Sequence, residues 1–262
     1  MKPEFSISII GSGNVATQLG RALLKYNIKI DIIFNYNIHS ADLLAKDLNS
    51  KASNEPKDLP TDSDLYIIAL KDEHILATIN QFDLKNKLIA HTSGTFDTQL
   101  LNKTSSRVGC FYPMQTLTKN EEIVFENTAV FIEANLEEDI QLLKKITNQL
   151  NCTPFQVNQL QRQQLHIAAI ATNNFTYHLF SCIQEYCNSN NLPYSSLGPL
   201  LSQTIKMIDK ENPFMYQTGP AKRGENEIIE KHMDLLKSEE FLADIYSLFT
   251  TQIKKKHQNN EL

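Results

Sequence analysis

The chain opens with an apolar run that breaks at a pair of glycines and then resumes with helical spacing. Residues 7–10 read Ile-Ser-Ile-Ile, as in a buried strand. After Gly11 and Gly13, apolar residues such as Leu19 and Leu23 recur one turn apart, which is the period of an amphipathic helix. The pattern therefore predicts a strand, a tight turn and a helix.

Short apolar runs that are typical of strands recur along the next part of the chain. They lie at residues 29–34, 64–70, 87–90, 107–111, 128–133 and 153–157. Segments with helical spacing separate most of them, including one that has Ser40 as its predicted N-cap and one over residues 136–150. Alternating strands and helices predict a parallel, doubly wound sheet. A polar segment that contains prolines, residues 53–63, leads into the most strand-like run, residues 64–70.

The pattern changes after the last predicted strand. Asn158 and Gln161 have the spacing of a capping box, and residues 165–186 are apolar on most sides, as expected of a buried helix. Further helical patterns follow at residues 197–209 and 226–253, the second with a break near Ser238. The predicted fold class is α/β, with an N-terminal doubly wound, mainly parallel Rossmann sheet over residues 1–157 and an all-α C-terminal domain over residues 158–262.

The glycine turn fits the dinucleotide-binding fingerprint G-x-G-x-x-[G/A]. In this pattern Gly11 allows the sharp turn, Gly13 leaves room for a pyrophosphate, and Ala16 lets the helix pack closely on the strand. The exposed N–H groups at the start of the helix would hold the phosphate charge. The predicted pyrophosphate contacts are Gly11, Ser12, Gly13, Asn14, Val15 and Ala16. A glycine turn that binds no ligand stays open as the alternative.

The ends of the later strands predict further cofactor contacts. An acidic residue after the second strand favours NAD and an arginine there favours NADP, but this chain has Asn35, Tyr36 and Asn37. The residues alone therefore leave the cofactor as NADP or NAD. Ligands of doubly wound sheets bind beyond the carboxyl ends of the strands, so Asn35, Lys71 and Ser93 are predicted to contact the cofactor.

Composition and charge narrow the classes of partner. A chain of 262 residues is long enough for two domains, and a formal net charge of −5 argues against a nucleic-acid or anionic-membrane surface. No apolar run could span a bilayer, and the 4 cysteines form no C-x-x-C pair. We expect a cytoplasmic protein with a small-molecule substrate. The apolar C-terminal helices, in a small domain, predict a homodimer.

Several stretches resemble a bacterial family of two-domain proteins. They are residues 9–16, 91–94 (His-Thr-Ser-Gly), 111–116 (Phe-Tyr-Pro-Met-Gln-Thr), 165–169 with 174–175, and 218–224 with His232. The chain resembles the deazaflavin-dependent NADP reductase-like family, in which a Rossmann-like domain precedes the domain of unknown function 2520. It is distantly similar to 6-phosphogluconate dehydrogenase, ketopantoate reductase and pyrroline-5-carboxylate reductase. The resemblance implies hydride transfer and slightly favours NADP over NAD.

The long helix after the Rossmann domain carries the predicted catalytic groups. Relatives in this superfamily place a lysine and an asparagine there, whereas this chain has His166 followed by Asn173 and Asn174. Either asparagine can share the face of His166 on a regular helix, and the family pattern favours Asn174. Histidine titrates near neutrality, so His166 is predicted as general acid or base, with a buried structural histidine as the alternative. Ser93 would contact the nicotinamide side of the cofactor.

A compact cationic loop is the predicted site for the anionic group of a substrate. Lys222 and Arg223 lie between glycines, and arginine can bind a carboxylate or phosphate through two hydrogen bonds; a solvated loop is the alternative. Histidine and cysteine spacings predict no metal site.

Two functions follow from these residues. The first is an NAD(P)-dependent oxidoreductase that transfers hydride to or from a small anionic substrate in the cleft between the domains. The alternative is a non-catalytic nucleotide-binding regulatory or scaffold protein, which the absence of the superfamily's lysine favours.

Overall fold

The structure is a computed structural model that describes residues 5–121, 123–208 and 212–258. The chain forms two compact units, Met1–Ile170 and Ala171–Leu262. An eight-stranded, mainly parallel sheet is followed by a helical region, so the predicted fold class is confirmed. The division into domains at residue 157 stays a prediction.

Eight strands and ten α-helices make up the described fold. The strands are β1 Ser6–Ile10, β2 Lys29–Phe34, β3 Lys51–Ser53, β4 Leu65–Ile68, β5 Leu88–His91, β6 Arg107–Pro113, β7 Ala129–Ala134 and β8 Thr153–Gln156. The helices of the first unit are α1 Asn14–Lys25, α2 Ile38–Asp47, α3 Asp72–Ile79, α4 Glu137–Gln149 and α5 Gln159–Ala169. Those of the second unit are α6 Phe175–Ser189, α7 Gly198–Ile208, α8 Pro220–Arg223, α9 Asn226–Leu235 and α10 Glu240–Gln258.

The strand order is β3-β2-β1-β4-β5-β6-β7-β8. All neighbouring strands are parallel except β6 and β7, which are antiparallel. The chain builds outward from β1 to β3 and then returns to place β4 on the other side of β1. Doubly wound sheets bind ligands at such a reversal point, beyond the carboxyl ends of the strands.

Buried side chains alternate between the two faces of the sheet. Ile9 and Ile67 pack in one core with residues of α1, α2 and α4, whereas Tyr66 and Ile68 pack in a second core with residues of α3. All four residues of β4 are buried, because helices cover both faces of this central strand. The near-continuous apolar run of β4 is therefore explained by burial on both sides.

One local prediction in the Rossmann part is wrong, and one strand is not predicted. Ser40 does not cap α2: the cap is Asn37, whose Oδ1 accepts a hydrogen bond from the Ser40 N–H at 3.1 Å. The unpredicted strand is the short β3, which ends at the start of the polar segment 53–63 and pairs with β2. The sequence of β3, Lys-Ala-Ser, has no apolar run, so its place beside β2 is what makes it a strand.

The segment that follows the sheet is helical, as predicted, but it is neither regular nor buried within the chain. The capping box of Asn158 and Gln161 is present. A π-helical turn at Ile170–Asn174 separates α5 from α6, so the 100° spacing used to compare the two asparagines does not apply. Phe175 and Tyr177 are about two-thirds exposed, at 65% and 66%.

The remaining helices agree with the helical pattern. The predicted helix 197–209 corresponds to α7, and its predicted last residue, Asp209, lies outside the described residues. The predicted break near Ser238 separates α9 from α10. Across the described parts of the chain, none of the helices combines the length and the apolar character needed to cross a membrane.

Candidate functional site

The glycine turn after β1 has a backbone that only glycine accommodates. Gly11 has φ +119°, and its N–H donates to the carbonyl of Phe34 at the end of β2 at 2.7 Å. A Cβ atom at Gly11 would lie 2.3 Å from the carbonyl oxygen of Ala69, just after β4. The turn is thus fitted between the ends of the two strands that neighbour β1.

The space beside the start of α1 is open. Gly13 is the N-cap of α1 and has extended backbone, and a Cβ atom there would meet no atom within 4 Å among the described residues. Ala16 is fully buried against the sheet. The first N–H groups of a helix have no intrahelical acceptor, so this open space is suited to a pyrophosphate. The residues of the fingerprint therefore fit a dinucleotide.

Asn35 braces the turn. Its Nδ2 donates to Ser12 Oγ at 2.6 Å, which joins the end of β2 to the middle of the glycine turn. Ser12 is buried, whereas Asn14 is exposed and Val15 is half-buried. Contacts of these residues with a cofactor stay predictions.

Lys71 and Ser93 lie at the same edge of the sheet as the glycine turn. Ala69 donates its N–H to the carbonyl of Ile10 at 2.8 Å, and Lys71, two residues later, is the exposed N-cap of α3. The start of α3 contacts the loop after β5, because Thr95 Oγ1 donates to Asp72 at 2.7 Å. The predicted convergence of strand ends is present.

The hydroxyl of Ser93 shapes its own loop. Ser93 Oγ accepts hydrogen bonds from the N–H groups of Thr95 and Phe96, both at 3.0 Å. The Ser93 N–H donates to Nδ1 of His91 at 3.1 Å. These bonds explain why the chain turns sharply here and presents Gly94 toward α5.

His166 lies directly against Gly94. A Cβ atom at Gly94 would be 2.6 Å from Cγ and Nδ1 of the His166 ring. Nδ1 is also 2.9 Å from the hydroxyl of Tyr112, near the end of β6. Nε2 of His166 has no hydrogen-bond partner among the residues that the structure describes, and the side chain is half-buried. Nδ1 of the ring is therefore hydrogen-bonded, whereas Nε2 is available to a ligand.

Burial favours the neutral forms of three groups at this site, Tyr112, Cys110 and His91. Burial raises the pKa of Tyr112 and raises the pKa of the Cys110 thiol to about 12. Burial and, secondly, the charge of Arg162 lower the pKa of His91 to about 3. Since neutral His91 accepts at Nδ1, its proton lies on Nε2, which donates to Thr98 Oγ1 at 3.0 Å.

A charged pair lies beneath the site. Arg162, on α5, is fully buried and pairs with Glu133 of β7. Sequence reasoning missed both Arg162 and Tyr112. Tyr112 belongs to the stretch 111–116 that carries the family resemblance, and Arg162 precedes His166 by four residues, so the two share a helix face.

The other predicted site residues belong to the second compact unit. Asn174 ends the π-helical turn and is exposed. Lys222 and Arg223 lie in the short helix α8 instead of a loop, and Arg223 is paired with Glu225 through two hydrogen bonds of 2.8 Å. Its charge is therefore already partly compensated. Roles for these three residues stay predictions.

Two family models match the chain. Residues 6–93 match "NADP oxidoreductase coenzyme F420-dependent", and residues 128–253 match "Domain of unknown function (DUF2520)". No curated protein matches the chain.

Solved structures are similar over nearly the whole chain. A candidate NADP oxidoreductase from Bacteroides fragilis is 30% identical, with a TM-score of 0.85, over 96% of this chain and 98% of that one. The 1-pyrroline-5-carboxylate reductase of Streptococcus pyogenes is 15% identical, with a TM-score of 0.68, over 96% and 98%. A reductive aminase from Aspergillus terreus, in complex with NADPH and ethyl levulinate, is 12% identical, with a TM-score of 0.74, over 97% and 94%.

Proposed function

This chain belongs to the family in which an F420-dependent type of NADP oxidoreductase domain is followed by DUF2520, and on that premise we propose that it is an NADP-dependent oxidoreductase. The observation that carries the proposal is the Tyr112 to His166 hydrogen bond, seated on Gly94 at the carboxyl edge of a dinucleotide-type sheet. The resemblance noted in the sequence is to this same family.

The cofactor we propose is NADP, which supplies or accepts the hydride when it is bound. The open space at Gly13, the left-handed Gly11 and the unpaired N–H groups of α1 support a pyrophosphate there. The B. fragilis relative is described as an NADP oxidoreductase, and the A. terreus enzyme was crystallised with NADPH. These likenesses support NADP over NAD, although no arginine follows β2.

We propose that His166 moves the proton that accompanies hydride transfer. Tyr112 Oη accepts a hydrogen bond from Nδ1–H of His166, which fixes the ring so that Nε2 gives or takes the proton. The raised pKa of Tyr112 keeps its hydroxyl protonated at neutral pH. Hydrogen bonds of Ser93 fix the loop that contains Gly94, and the His166 ring packs against this loop.

The substrate we propose is a small molecule with a carbonyl or imine group. Likeness to a reductive aminase in complex with ethyl levulinate, which is a ketone, and to a 1-pyrroline-5-carboxylate reductase supports this class. The anionic group of the substrate, its binding by Lys222 and Arg223, the role of Asn174 and the interdomain location stay predictions.

Cofactor consumption by the purified protein tests the proposal. We expect NADPH oxidation with at least one member of a panel of ketones, aldehydes, cyclic imines, ketone and amine mixtures, and an oxidised deazaflavin. His166→Ala and Tyr112→Phe should lower turnover, the first by about 100-fold or more because a general acid or base typically contributes that much. Binding of NADPH, followed by nicotinamide fluorescence, should stay within about twofold for both variants.

Variants at Gly13 separate cofactor binding from folding. Gly13→Asp should abolish NADPH binding because its carboxylate enters the pyrophosphate space, while aspartate remains a favourable N-cap for α1. Gly13→Asn, of equal size without the charge, should bind NADPH more weakly than wild type but more tightly than Gly13→Asp. Binding of NADPH without turnover across the panel would instead support the non-catalytic alternative.

We also propose a homodimer formed through the helices of the second unit. Large apolar side chains on α6, α7 and α10 are exposed, including Phe175, Leu200 and Phe249. Exposed apolar patches often mark interfaces between protein chains, and these exposed side chains support such an interface here. A second copy of the chain is the occupant we propose.

A further inference from the structure

The buried charge of Arg162 is not explained by stability alone. The side chain is fully buried, Nη1 pairs with Glu133, and Nη2 donates to the carbonyl of Phe96 at 2.5 Å. Nε is buried and has no partner among the described residues. Removing a guanidinium from water is costly, and apolar residues of similar volume often serve as well. A geometric role is therefore favoured.

Arg162 and His166 contact the same short loop from the same helix face. Residues four apart on a helix lie one above the other. Arg162 binds the carbonyl of Phe96, and the His166 ring lies on Gly94, two residues earlier. The next residue of α5, Gln163, adds a hydrogen bond from Nε2 to the carbonyl of Thr95 at 3.1 Å. Three residues of α5 thus contact three consecutive residues of the loop after β5, residues 94–96.

The acceptors of Arg162 are themselves fixed. Glu133 accepts a hydrogen bond from Thr98 Oγ1 at 3.3 Å, and Thr98 is bonded to the buried His91. Phe96 is held through its N–H by Ser93 Oγ. The guanidinium therefore joins α5 to two rigid points, the strand β7 and the loop after β5.

We infer that Arg162 is a positioning residue for His166. The two hydrogen bonds of its planar guanidinium, here called the fork, fix the position and rotation of helix α5, so that the His166 ring lies on Gly94 and beside Tyr112. The catalytic consequence rests on the proposed function. Lysine cannot replace this fork, because it carries a single donor group and cannot bind Glu133 and the Phe96 carbonyl in one planar geometry. Loss of the fork lets α5 shift, and His166 shifts with it.

Two variants test the inference in the full-length chain. Arg162→Lys keeps the charge and removes the fork. Arg162→Met combined with Glu133→Gln removes both charges, so that the half-buried carboxylate of Glu133 is not left without its partner. For both we expect kcat to fall by about 10- to 100-fold, as small misplacements of a reacting group do, while KM for NADPH stays within about twofold.

A spectroscopic measurement reports the position of His166 without turnover. Protein labelled with ¹⁵N-histidine gives NMR signals for the ring nitrogens of His166. These signals are assigned by their absence from the spectrum of His166→Ala, and the Nδ1 signal reports the hydrogen bond to Tyr112. We expect the Nδ1 signal of both Arg162 variants to move toward that of Tyr112→Phe. An unchanged Nδ1 signal in folded Arg162 variants would overturn the inference.

A second arginine–carboxylate pair, whose arginine is half-buried, provides the control. Arg107, at the start of β6, donates through Nε to the fully buried Asp139 at 3.1 Å, five residues from Tyr112 along the strand. Arg107→Met with Asp139→Asn should lower thermal stability but leave the His166 signals and kcat unchanged. If this control shifts His166 as much as the Arg162 variants do, general loosening is the cause and the inference fails. If wild type shows no turnover, the proposed function fails, and the nitrogen signals alone decide whether Arg162 positions His166.

Discussion

The two compact units differ in how much apolar surface each buries by itself. The first unit buries both faces of its sheet, and strands such as β4 are buried along their whole length. In the described residues of the second unit, the buried apolar side chains are Cys187 and Ala221. An apolar cavity of about 450 Å³, lined by residues such as Leu179 and Phe249, also opens in the second unit.

This contrast distinguishes a unit that covers its own apolar core from a unit that leaves large apolar side chains exposed. When helices cover both faces of a sheet, the apolar side chains of the sheet are buried within one chain. Helices that are apolar on several sides cannot bury all of their apolar side chains within one small unit. The apolar pattern of the second unit therefore supports the homodimer proposed above.

The largest effect is expected from a methyl group in the glycine turn of the first unit. Gly11→Ala should lower the free energy of unfolding by about 3 kcal/mol or more, because a left-handed backbone is strained and the Cβ would overlap the Ala69 carbonyl. Gly224→Ala, at φ +69° with open space around it in the second unit, should cost only about 1 to 2 kcal/mol. Chemical denaturation of both variants measures the two losses of unfolding free energy. Equal losses would show that the structure relaxes to remove the overlap between the Cβ at position 11 and the Ala69 carbonyl.

Negative charges at the exposed aromatic residues of α6 should disrupt assembly. Phe175→Glu combined with Tyr177→Glu should raise the dissociation constant of the dimer by about 100-fold or more, since central aromatic residues dominate interfaces. Leu43→Glu, at a 57% exposed apolar position of the first unit, should leave the mass unchanged in light scattering. A monomeric wild type, or a dimer that tolerates both glutamates, would contradict the proposal.

Acid should destabilise the first unit through His91. The unfolded chain binds a proton on this histidine below its ordinary pKa near 6.5, whereas the folded chain binds it only near pH 3. The stabilising contribution is therefore full above about pH 6.5 and falls by up to about 1.4 kcal/mol for each pH unit below it. His91→Gln should show a shallower loss of stability between about pH 6 and pH 4.5, which denaturation at several pH values measures.

The smallest expected effect concerns the caps of the two units. Asn158→Ala should cost about 1 kcal/mol because it removes the capping box of α5. Asn212→Ala, which removes a hydrogen bond to the Phe214 N–H in a short 3₁₀ turn of the second unit, should cost less. Thermal unfolding compares the two, and a larger loss at Asn212 would show that this turn supports more structure than its exposure suggests.

Local signals in the sequence were sufficient for most of the Rossmann part. Glycine spacing located the turn at Gly11 and Gly13, and apolar runs located the strands that neighbour it. Ser40 was wrongly predicted as a cap because several polar residues in one segment can cap a helix, and only the observed backbone selects Asn37. The strand β3 has no apolar signal, and its pairing with β2 is a long-range property.

The candidate site was only partly predictable. A strand end predicts Ser93 and a helical pattern predicts His166, whereas Tyr112 is linked to His166 only by the hydrogen bond that joins β6 to α5. Arg162 was missed because a lone arginine in a polar helix start gives no sign of burial.

Most strands of the sheet, the glycine turn and the helical second half can be predicted from the sequence, because strand and helix periods and glycine conformations are local properties of the chain. The cluster of Gly94, Tyr112, His166 and Arg162 is evident only from the packing of the folded chain. Their contacts join residues far apart in sequence, and such contacts depend on which strands are neighbours and how α5 is rotated against them. The chain thus encodes its elements locally, and the packing of those elements assembles the candidate site.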